Sequence, residues 1–116
     1  LRTQVPRTWP LSDDERLILV ALGQRYLLQQ DHPQPLAYQH VADLLNELAP
    51  DREWNERKVE ARVSTVRSRL IASGVPNLTR KEVGEPVGNL LNHNLLTELV
   101  VTSGTLTRGD LVLIED

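Results

Sequence analysis

Asp51–Gly74 reads DREWNERKVEARVSTVRSRLIASG, and the periodicity of this stretch decides the fold. At about 100° per residue, Val59, Val63, Val66 and Leu70 fall on one stripe of a helix. Arg57, Ala61, Ser64, Thr65 and Ser68 fall on the opposite stripe. Lys58, Arg62 and Arg69 lie along one flank, and Glu60 and Arg67 along the other. An aliphatic stripe needs a core to bury it, so the polar stripe is expected to face solvent. Trp54 and Val59 bracket Asn55 as a hydrophobic staple around an N-cap, which starts the helix near Glu56. Ser73-Gly74 ends it, with glycine at the C′ position.

The same region concentrates the charge. Six of the thirteen basic residues lie between Arg52 and Arg69. Residues 1–51 carry four basic and seven acidic groups, residues 52–81 eight and three, and residues 82–116 one and six. A net charge of −3 therefore conceals a basic middle between acidic ends. The local field governs the approach of an anionic partner more than the total does. The acidic flanks nevertheless oppose strong non-specific DNA binding.

Upstream, Ala37–Leu48 predicts a shorter helix, with Val41, Leu44, Leu45 and Leu48 at helical spacing and Ala42 allowing close contact. The connection Asn46–Trp54 is longer than a tight turn. Ser12-Asp13-Asp14-Glu15 reads as a capping box that opens a helix from Asp13 to about Gln30. Its acidic first turn suits the helix dipole. Leu17–Leu22, LILVAL, is apolar all round and marks the spine of the core. Asp31-His32-Pro33-Gln34-Pro35 is a turn. Leu1–Leu11 reads as a linker or an arm docked by Trp9, leaving residues 12–116 as one domain.

Downstream, Val75–Leu78 connects to Thr79-Arg80-Lys81-Glu82, a second capping-box pattern interrupted by Gly84 and Pro86. A helix is expected from about Glu85 to Glu98, with Pro86 in its first turn. Two readings of the C-terminus stay open. Leu99–Thr102 and Thr105–Thr107 around Ser103-Gly104 form a hairpin, or Thr107–Asp110 starts a short last helix through Ile114. The expected fold class is thus mainly α: a helix-turn-helix or winged-helix-like bundle of four helices, with or without a small C-terminal β-hairpin.

Composition narrows the function. At 116 residues, 40% hydrophobic and 25% charged, the chain is a single globular domain with an aliphatic core. The absence of Cys excludes disulfides and cysteine-based metal sites and points to an intracellular, cytoplasmic setting. No apolar run reaches membrane-spanning length, and LRTQVPRTWP is not a signal peptide. The chain starts at Leu1 without Met, so it reads as a piece of a longer protein. His32, His40 and His93 lack ligand spacing, so no metal or other cofactor is expected. Asp13-Asp14-Glu15 is a helix start rather than an acid–base pair. Ser64, Ser68 and Ser73 have no evident histidine base, and phosphate loops and nucleophile elbows are missing. An enzyme is not expected.

A short helix followed by a basic amphipathic one is the pattern of a helix-turn-helix unit. On that reading Arg57, Lys58, Arg62 and Arg69 contact phosphates of duplex DNA, while Ser64, Thr65 and Ser68 lie near base edges. The segments PLSDDERLILVALGQRYL, HVADLL, RKVEARVSTVRSRLIASGVPNL, LLNHNLLTELV and DLVLI resemble a helix-turn-helix-like domain of actinobacterial proteins. In those proteins the domain is found beside forkhead-associated domains or with signalling kinases. The resemblance covers most of residues 10–115 and implies a signalling-linked transcription regulator. The alternative is a protein-interaction or dimerisation module that docks its parent chain, a second copy or another regulator. An exposed leucine face on Leu90–Leu99 would favour that alternative.

Overall fold

The computed structural model describes residues 8–115. The expectation for Leu1–Arg7 lies outside the described residues. Trp9 does dock: its backbone N–H donates to Thr105 Oγ1 at 2.9 Å and its indole N–H to Glu98 Oε2 at 3.2 Å.

Helix α1 spans Asp13–Leu22 and opens as its sequence demands. Ser12 Oγ accepts from the Glu15 N–H at 3.1 Å, and the Ser12 N–H donates to Glu15 Oε1 at 2.9 Å. Every residue from Ile18 to Leu22 is fully buried, which makes α1 the spine of the core. The expected continuation to Gln30 does not occur. The helix stops at Gly23, where a Cβ would lie 2.6 Å from Leu96 Cδ2. A four-residue helix α2, Gln24–Leu27, follows, and Gln29 then adopts a φ of 56° that no right-handed helix can extend.

Helix α3, Tyr38–Leu48, buries Val41, Ala42 and Leu45. Helix α4, Glu56–Ala72, buries Val59, Val63, Val66 and Leu70, the whole of its aliphatic stripe. Asn55 caps it, its Oδ1 accepting from the Lys58 N–H at 2.9 Å. At the other end the Val75 N–H reaches the Leu70 carbonyl and the Gly74 N–H that of Ile71. Gly74 sits at φ 94°, completing a Schellman motif. Helices α1, α3 and α4 pack on one another as the main body.

The connection between α3 and α4 runs over Ala49–Asn55, with α3 ending at Leu48 as expected, and is still longer than a tight turn. It contains a 3-10 turn at Pro50–Arg52 and a left-handed Glu53 at φ 52°. The Asn46 side chain grips it: Nδ2 donates to the Trp54 carbonyl at 2.8 Å and Oδ1 accepts from the Trp54 N–H at 2.7 Å.

Thr79 caps the four-residue helix α5, Arg80–Val83. Helix α6 spans Leu90–Thr97, so it starts later than expected and Pro86 lies outside its first turn. Gly88, at φ 48°, cannot be part of a right-handed helix, which delays the start. A five-residue π-helical turn, Glu98–Thr102, continues α6.

The C-terminal hairpin, and with it a wing, is not formed. Among the described residues there is no strand. The Ser103 N–H and hydroxyl both close on the Glu98 carbonyl, at 2.8 and 2.9 Å, which keeps residues 99–102 coiled. The Thr105 carbonyl, which a hairpin would use, accepts instead from Arg16 Nη1 at 3.0 Å. The other reading of this segment holds in 3-10 form, at Arg108–Ile114. Asp110 secures it by accepting from the Thr107 N–H at 2.9 Å and pairing with Arg16 at 3.1 Å.

Candidate nucleic-acid interface

Burial of the valine–leucine stripe fixes which way every other side chain of α4 faces. Arg57, Lys58, Ala61, Arg62, Thr65 and Ser68 are exposed, and Ser64 and Arg69 are half-buried. The seven residues expected to meet DNA therefore share one helix but not one circumstance.

Among the described residues, no side-chain hydrogen bond or ion pair holds Arg57 or Arg62. Lys58 Nζ donates to the Glu53 carbonyl at 3.0 Å, a bond that leaves its charge unneutralised. The Thr65 hydroxyl donates back to the Ala61 carbonyl at 2.9 Å, so toward a ligand it offers lone pairs rather than its proton. Ser64 and Ser68 keep the surface low enough for a backbone or base edge to come close.

Arg69 stands apart. Its guanidinium straddles the Glu15 carboxylate, with Nη1–Oε1 at 2.9 Å and Nη2–Oε2 at 3.0 Å, and Nη1 also donates to the Pro10 carbonyl at 2.8 Å. Glu15 is buried, whereas about a third of the Arg69 side chain is exposed. The Arg69 bond holds the Glu15 carboxyl below the ordinary glutamate range, against burial and with help from Ser12. The arginine is held protonated in turn. Arg69 is thus engaged in joining α4 to the start of α1. Arg67 is similarly occupied: Nη2 donates to Asn92 Oδ1 at 2.8 Å, and Asn92 Nδ2 donates to the Tyr38 hydroxyl at 3.0 Å.

Three residues that sequence reasoning did not place at the site stand at its edge. Arg52 pairs with Asp14 at 2.7 Å and lies 5.3 Å from the Trp54 ring centroid. With Lys58, Ala61 and Arg62 these residues line an open cleft of about 310 Å³. Arg52 and Trp54 bracket Glu53 just before the Asn55 cap, and that spacing was the available signal. Nothing local, by contrast, marks Asp14 as their neighbour.

No group of three or more metal-ligating side chains comes together among the described residues. His93 Nδ1 lies 2.6 Å from the Tyr26 hydroxyl, while His32 and His40 are exposed. No helix among the described residues is long and apolar enough to cross a membrane. No protein-family profile matches the chain, and no curated protein or solved structure does.

Proposed function

We propose that this domain binds duplex DNA as a helix-turn-helix unit, with α3 as the supporting helix and α4 laid in the groove. The observation that carries the reading is the outward face of α4, where Arg57 and Arg62 are uncommitted beside short polar side chains. Arg57, Lys58 and Arg62 contact phosphates, and Ser64, Thr65 and Ser68 approach base edges. Arg69 joins the phosphate contacts only if it leaves Glu15. The C-terminal turn Arg108–Ile114 packs on α1, α2 and α3 rather than over the outward face of α4, which supports the reading, since a tail over the basic face would favour docking to protein. In a longer chain this makes the domain the DNA-binding part of a signalling-linked bacterial regulator in the cytoplasm, strengthened by dimerisation of the parent.

A second reading, an interaction or dimerisation module, is favoured by exposed apolar side chains away from α4. Val101 is 73% and Val112 63% exposed, but the expected leucine face is mostly closed: Leu95, Leu96 and Leu99 are fully buried and Leu90 alone of its leucines is exposed. A salt titration by fluorescence anisotropy separates the two. Phosphate contacts release counterions, so the log–log slope of affinity against salt should be about three for Arg57, Lys58 and Arg62. Arg57→Ala should lower it by about one and weaken all sequences alike. Absence of salt-sensitive binding near millimolar protein would overturn the DNA reading in favour of the interaction module.

A further inference from the structure

We infer that the cleft between the start of α1 and the start of α4 is a binding site for a phosphate or diphosphate group, governed by Asp14. Three cationic side chains from two elements, Arg52, Lys58 and Arg62, meet there with one carboxylate, Asp14. Two positive charges in excess of Asp14 remain in the open cleft, with Asp51 acting on Arg52 from outside its lining, and a phosphate matches that excess in charge.

The site is built rather than merely charged. Trp54 is buried and its backbone is pinned at both ends by Asn46, so the floor is fixed. Arg52 is held over that ring and drawn sideways by Asp14, which leaves its remaining N–H groups oriented before a ligand arrives. Lys58 and Arg62 stand one helical turn apart on the same flank, and Ala61 lines the cleft beside them. The volume of about 310 Å³ sits at the lower end of small-molecule sites, about 300–1,000 Å³. Charged donors lining one cleft suit an oxyanion better than a flat apolar ligand.

Asp14 competes with that oxyanion for Arg52. Binding shares Arg52 between the carboxylate and the phosphate, and the carboxylate repels the ligand. It is a brake on affinity. The phosphate comes from the DNA backbone or from a free phosphate compound. For the first source the inference rests on the DNA reading; for the second it does not.

The test titrates isotope-labelled protein with sodium pyrophosphate at constant ionic strength, and separately with a short duplex DNA, following amide resonances. Pyrophosphate should shift Arg52, Trp54 and Arg62 saturably. Arg62→Ala should weaken both ligands roughly three- to tenfold, the loss expected for one charge-assisted contact. Asp14→Asn, which keeps the shape of the side chain, should strengthen both. Lys81→Ala removes a charge from α5, outside the cleft, and should leave pyrophosphate binding unchanged. Thermal melts establish that each variant is folded. Duplex binding that ignores Arg62→Ala and Asp14→Asn, with no pyrophosphate shift, would overturn the cleft and remove Arg62 from the DNA contacts, leaving Arg57 and Lys58 to carry them. Pyrophosphate binding without duplex binding would support the cleft for a free phosphate compound and overturn the DNA reading. Binding of neither would overturn both.

Discussion

The two halves of α4 carry the same chemistry and put it to different uses. In the first half Arg57 and Arg62 extend from the surface without side-chain partners among the described residues. In the second half Arg67 is fastened to Asn92 and Arg69 to Glu15. The charge of an arginine is common to all four, but a phosphate can recruit a free guanidinium without first breaking a bond. A basic helix is therefore a poor measure of its own affinity for DNA until its internal partners are known.

The largest expected effect tests the burial that separates inward from outward residues. Leu70 is fully buried, so Leu70→Ala should cost about 2–5 kcal/mol through lost contacts and the cavity left behind. Ser68→Ala, two residues earlier on the exposed face, should stay within about 0.5 kcal/mol. Urea denaturation measures both, and equal losses would mean that the helix is rotated relative to this description.

A smaller effect sharpens the contrast between the halves. Arg69→Ala leaves the Glu15 carboxylate buried without its partner and should cost about 1–3 kcal/mol. The value sits below that of a fully buried pair because Arg69 is about a third exposed to screening water. Arg57→Ala should leave the thermal midpoint nearly unchanged. A reversal of that order would erase the distinction between a structural and a free arginine.

The smallest effect is a pH dependence. The folded state holds the Glu15 carboxyl below its ordinary range, chiefly through Arg69. Such a carboxylate contributes stability in full above its unfolded value, about 4.3, and loses it as pH falls through the lower folded value. Glu15→Gln should accordingly be less stable than the parent by about 1–2 kcal/mol at pH 7, with the gap closing below about pH 4. Urea melts at pH 7 and pH 3 measure the gap, and a gap of constant size would assign Glu15 to shape rather than charge.

Much of this was legible in local sequence. Asn55, Trp54, Val59 and Gly74 mark the ends of α4, and the valine spacing sets its phase, because caps and stripes act over a few residues. The Ser12–Glu15 box was legible for the same reason, and the C-terminal helix from Thr107 was one of two readings the residues allowed. What remained hidden depends on distant partners. Gly23 ends α1 where Leu96 packs, and a glycine alone does not announce which side chain will fill its space. Residues 99–107 have the alternation of a hairpin, yet Arg16 takes the Thr105 carbonyl that a strand partner would need, and Trp9 binds the Thr105 hydroxyl. Glu15 was legible as a cap and not as the partner of Arg69, fifty-four positions away. The cleft draws Asp14 and Arg52 together across thirty-eight positions, and no periodicity records that.

The grip of Asn46 on Trp54 has a consequence for cooperativity. Two side-chain bonds from Asn46 satisfy the Trp54 amide and carbonyl, extending the backbone pairing of the 3-10 turn to the end of the connection. A loop that would otherwise open on its own joins the helices on either side in one unfolding unit. Any motion that re-aims the first turn of α4 must therefore carry α3 with it, and the pair answers a bound ligand as a single lever.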